Sequence, residues 1–72
     1  MDMIAVFKSR RDAVRLADGL SRLGVSVSVV STPRGIGVPC GLSVRFRKVH
    51  LPLAERVLGG NDYFGFIGFY AI

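Results

Sequence analysis

Apolar positions along the chain follow two rhythms in turn. Ile4-Ala5-Val6-Phe7 is short, apolar and partly β-branched, and it predicts a buried strand. Ser9 and Asp12 follow, three residues apart. The Ser9 oxygen can accept an orphan N–H, and an acid suits the positive end of a helix. The pair approximates a capping box with Asp in place of the usual Glu. Ala13, Leu16, Ala17, Leu20 and Leu23 then recur at helical spacing, with Arg11, Arg15, Asp18 and Arg22 on the other side. This is the pattern of an amphipathic helix. Gly24 is placed to end it, because a left-handed conformation costs glycine little.

The rhythm then changes to period two. Val25-Ser26-Val27-Ser28-Val29 alternates strictly, as a strand with one apolar and one polar face does. Residues 32–40 hold two prolines and two glycines and predict a loop. Leu42-Ser43-Val44-Arg45-Phe46 alternates again, giving a third strand. In residues 51–58, Leu53, Ala54, Val57 and Leu58 return to helical spacing, and Pro52 suits a first turn. Gly59-Gly60-Asn61 stops this second helix, and residues 64–72 read as a final aromatic and β-branched strand. The order β-α-β-β-α-β predicts a ferredoxin-like α+β sandwich. Two helices would cover one face of a four-stranded antiparallel sheet, leaving the other face to water, a partner or a ligand. Residues 1–72 are expected to form a single such domain.

Composition narrows the chemistry. Half the residues are hydrophobic, yet no apolar run approaches the roughly 20 residues of a membrane helix. The start has no signal-peptide shape, and a lone thiol fits a reducing compartment, so a soluble cytoplasmic protein with no membrane partner is expected. One cysteine rules out a disulfide within the chain. One Cys and one His fall short of a tetrahedral metal site, and nothing in the sequence calls for a cofactor. The net charge of +5 favours anionic partners, with basic clusters at Lys8/Arg10/Arg11 and Arg45/Arg47/Lys48. A solvated basic surface without a ligand is the plainer alternative.

Cys40 is the residue best equipped for covalent chemistry. It sits between Pro39 and Gly41, where a loop enters a strand, with Arg34 and Arg45 near it in sequence. A guanidinium close by favours thiolate, which is the nucleophile. A small buried hydrophobe is the alternative role. Gly35-Ile36-Gly37 could offer backbone N–H groups to an anion with Arg34 supplying charge. It is neither a P-loop nor a dinucleotide fingerprint. The run Tyr63-Phe64-Gly65-Phe66-Ile67-Gly68-Phe69-Tyr70 superficially resembles the aromatic strand of RNA-recognition domains. Its place in the chain and its leading Asp62-Tyr63 fit that poorly, and core packing or a dimer contact is the expected role. His50 stands alone, and no triad or carboxylate pair suggests a hydrolase.

Thr32-Pro33-Arg34, followed by Cys40-Gly41-Leu42-Ser43-Val44-Arg45-Phe46, resembles a family of small bacterial and archaeal proteins described as selenium/sulfur carrier-like. The resemblance covers nearly the whole chain. It implies that Cys40 carries the chalcogen, that Thr32, Pro33, Arg34 and Gly41 form the accompanying loop motif, and that Arg45 lies beside the thiol. It also implies donor and acceptor proteins as partners. The Gly- and Pro-rich residues 35–39 and the short second helix depart from the family's pattern. Two other readings remain open: a non-catalytic module using Phe64, Phe66 and Tyr70 to bind a partner or form a homodimer, and a small RNA-binding domain.

Overall fold

The computed structural model describes residues 2–33, 41–60 and 65–72. Strand β1 is Asp2–Phe7, helix α1 Arg10–Arg22, β2 Ser28–Ser31 and β3 Leu42–Arg47. A turn of 3-10 helix, Lys48–His50, leads into α2, Leu51–Gly59, and β4 is Phe66–Ala71. The sheet order is β2-β3-β1-β4, with every neighbouring pair antiparallel. The order of elements and their pairing are those of a ferredoxin-like α+β fold, as the alternating rhythms predict.

Alternation sorts the strands into two faces. Met3, Ala5, Phe7, Val44 and Phe46 point toward Ala13, Leu16 and Leu20 of α1 and Ala54 of α2, and together these residues form the core. Ile4, Val6, Ser43 and Arg45 occupy the intervening positions and so face the other way.

Both ends of α1 are set by its flanking residues. Ser9 is the N-cap, and its side chain accepts the Asp12 backbone N–H at 3.4 Å. Gly24 has φ +83°, the Gly24 N–H donates to the Ser21 carbonyl, and the Val25 N–H donates to the Leu20 carbonyl. This is the Schellman arrangement, and its apolar partners Val25 and Leu20 are both buried. It also explains why β2 starts at Ser28 and not at Val25. The Val25 N–H is used to close the helix, and the chain joins the ladder only opposite Arg45. Val25 and Val27 still face the core, whereas Val29, the third apolar position of the alternation, pairs with Val44 but is exposed at this edge of the sheet.

Strand β4 departs from simple alternation. Val6 lies opposite Gly68, but Phe7 lies opposite Phe66, so the strand carries a bulge there. The extra residue turns both Phe66 and Phe69 toward the helix side. Their rings meet at 5.1 Å, Phe66 packs on Phe7 at 5.4 Å, and Phe69 meets Phe46 edge-on at 6.0 Å. Core packing is therefore the role of these two rings. Tyr70 keeps 37% of its surface exposed, and its ring extends over Gly68. Phe64 and Tyr63 lie outside the described residues.

Candidate functional site

Phe7 of β1 stands opposite Leu42 of β3 and Phe66 of β4, and Leu42 stands opposite Ser31 of β2. Four strand ends thus meet at one end of the sheet. The same end receives the β1–α1 junction at Lys8 and Ser9, both feet of the β2–β3 connection, and Gly65.

The feet of the connection are fixed. The Thr32 N–H donates to the Gly41 carbonyl at 3.1 Å, and the Thr32 and Ser43 hydroxyls meet at 2.8 Å. Gly41 is buried and Ser43 fully so, while Pro33 is exposed. Cys40 is one peptide bond from Gly41 in the sequence. Cys40 itself, Arg34 and the Gly35-Ile36-Gly37 run lie outside the described residues. Of the sequence-predicted site, Thr32 and Gly41 are therefore brought together.

Arg45 is placed elsewhere. It lies four residues along β3 from Gly41, about 13 Å at the rise of an extended strand. Its Nε and Nη2 donate to Asp2 Oδ2 at 2.8 and 2.7 Å, at the end of the sheet remote from the connection. The hydrogen bond from Arg45 is the main cause holding the Asp2 carboxyl below its ordinary range, with burial opposing it. A carboxyl lowered on folding adds stability above its unfolded pKa, and that contribution is lost as pH falls through the folded value. Asp2→Asn should therefore lower the urea midpoint slightly at pH 7. The difference should vanish in strong acid, below the folded value. A difference that persists there would separate the effect from this ion pair.

A second group of residues at the connection end was visible in the sequence only as a charge cluster and a helix cap. An open hollow of about 610 Å³ is lined by Lys8, Ser9, Arg11, Asp12, Arg15 and Gly65. Asp12 does not complete a capping box. Its Oδ2 accepts the Gly65 N–H at 2.9 Å, and its Oδ1 pairs with Arg15 Nη1 at 3.4 Å. The Gly65 carbonyl accepts the Lys8 N–H at 2.7 Å. Gly65 is thus held between the β1–α1 junction and the buried Asp12 side chain. Spacing alone could not show that link, because the two residues are 53 apart in sequence.

Among the described residues, no group of three His, Cys, Asp or Glu side chains could hold a metal ion. No helix formed by them is long and apolar enough to cross a membrane.

No curated protein and no solved structure matches the chain. Residues 2–70 match the family described as "Putative Se/S carrier protein-like". The match runs from β1 through β4 and spans the connection that bears Cys40, so the chain belongs to the Se/S carrier protein-like family.

Proposed function

We propose that the protein carries sulfur or selenium on Cys40 as a persulfide or selenopersulfide. Family membership over residues 2–70 is the observation that carries this reading. Cys40 is the chain's one thiol, and it adjoins a connection whose feet are tied by Thr32, Gly41 and Ser43. In the loading step, the Cys40 thiolate attacks the outer chalcogen of a donor persulfide. A new bond to that chalcogen forms, the donor's bond to it breaks, and the donor sulfur leaves as thiolate. No electrons are gained or lost overall. With no second cysteine to expel the chalcogen and close a disulfide, the loaded form persists until an acceptor thiolate takes it.

Arg34, next to the Gly-rich run in sequence, and the cations Lys8 and Arg11 at the connection end favour the anionic forms. Arg45, the other cation expected in this role, is paired with Asp2. Donor and acceptor proteins are the implied partners, in a reducing cytoplasm.

The test is intact mass spectrometry after incubation with a cysteine desulfurase and its substrate. The native chain should gain one sulfur that a reductant removes, and Cys40→Ser should gain none. No adduct, or the same adduct on any exposed control thiol, would return Cys40 to a structural role.

One observation favours a second reading, an association module. Among the described residues strand β4 pairs only with β1, and its residues Phe66–Ala71 carry no charge, so they present an apolar strand edge. Edge pairing between two copies would give a concentration-dependent mass in sedimentation, whereas a monomer at all concentrations would remove that reading.

A further inference from the structure

The hollow at the connection end holds more positive charge than its fold requires. Of its three cations and one carboxylate, the carboxylate is already engaged at both oxygens, by Gly65 and by Arg15. Lys8 and Arg11 are exposed, and among the described residues neither forms an ion pair. Helix electrostatics make this placement unfavourable. The first turn of α1 sets Arg10 and Arg11 against the single acid Asp12, where acids would stabilise and cations do not. Helix stability alone therefore gives no reason for this cluster, whereas an anion in the hollow would neutralise it.

We propose that the hollow binds a tetrahedral oxyanion of the sulfate or phosphate class. Donors of three kinds converge on it. Arg11 offers a planar guanidinium fork and Lys8 a compact ammonium, which together suit an anion with acceptor oxygens in several directions. Ser9 accepts the Asp12 N–H through its oxygen, which leaves its own hydroxyl proton to donate. The volume of about 610 Å³ admits such an ion with its remaining waters. A nucleic-acid backbone fits less well, because it calls for cations in a row along successive phosphates and here they surround one hollow. The inference goes beyond the carrier reading and does not need it, since it stands on residues 8–15 and 65.

The test is an amide NMR titration of the full chain at low ionic strength. Sodium sulfate, inorganic phosphate and, at matched ionic strength, sodium chloride are the three arms. Sulfate and phosphate should give saturating shifts at residues 8–12 and 65 that chloride does not. A Lys8→Gln/Arg11→Gln double variant should bind more weakly by about tenfold or more, as loss of charge-assisted contacts implies. Its thermal unfolding in chloride should show that the fold is kept. Three results would overturn the proposal: equal shifts with all three salts, the largest shifts at Arg45 and Arg47, or a double variant that binds like the native chain. None of these bears on whether Cys40 accepts sulfur, so the two readings fail separately.

Discussion

Gly65→Ala should lower the melting temperature by roughly 8–16 °C, equivalent to about 2 kcal/mol in a chain of this length. A Cβ built at Gly65 falls 2.8 Å from the Ser9 backbone nitrogen and 2.9 Å from the Ser9 Cβ. Neither atom is the end of a flexible side chain. Relief requires β4 to move away from the β1–α1 junction. Such a movement strains the Lys8 N–H bond to the Gly65 carbonyl and pulls the Gly65 N–H from Asp12. A buried carboxylate oxygen losing its donor adds a further penalty. Gly59→Ala is the control. Nothing lies within 4 Å of a Cβ there, and the residue is helical, so alanine should stabilise by about 0.5–1 kcal/mol. Thermal unfolding of the two variants should move in opposite directions. A Gly65→Ala chain as stable as the native one would mean that this end of the sheet yields easily, and that the clamp is not what fixes it.

The same residues show where the sequence was readable and where it was not. Local rules were reliable. The Ser9 cap, the Gly24 stop, the core stripe of α1 as far as Leu20 and the alternation of β3 each depend on neighbours within a turn or two and are present in the structure, while Leu23, the last residue of the expected stripe, is exposed. What depends on residues distant in the chain was not readable. Asp12 looked like half of a capping box because its acceptor role is the same in both settings, and only the tertiary fold brings Gly65 to it. Phe66 and Phe69, three apart, belong on opposite faces of a regular strand, and the bulge that unites them leaves no local mark. The resemblance puts Arg45 beside the thiol; what the structure describes is its place relative to Gly41. Along β3 it stands at the end of the sheet remote from Gly41, where Asp2 holds the guanidinium. Lys8 and Arg11 were passed over. They are distant from Cys40 in sequence, while the antiparallel pairing of Phe7 with Leu42 sets their junction beside Gly41.

The role proposed for Lys8 and Arg11 predicts how the Cys40 thiol ionises. Its rate of alkylation plotted against pH should have a midpoint below the 8.5 or so of free cysteine. A cation about 10 Å from a thiolate contributes about 0.4 kcal/mol at the dielectric of water and about 1.7 at an effective value of 20. A charge at that separation would lower the midpoint by roughly 0.3 to 1.2 pH units. The Lys8→Gln/Arg11→Gln variant should move the midpoint back toward free cysteine. Arg45→Ala should move it much less, because Asp2 already offsets that charge. The midpoint is the quantity to measure, not the rate at neutral pH. A more acidic thiol is more ionised but intrinsically less nucleophilic, so the two effects partly cancel in the rate. Salt supplies the last check. At about 1 M the Debye length is near 3 Å, and a shift caused by cations across solvent should largely disappear. A midpoint already at the free-cysteine value, insensitive to both substitution and salt, would detach the cationic end of the sheet from the thiol.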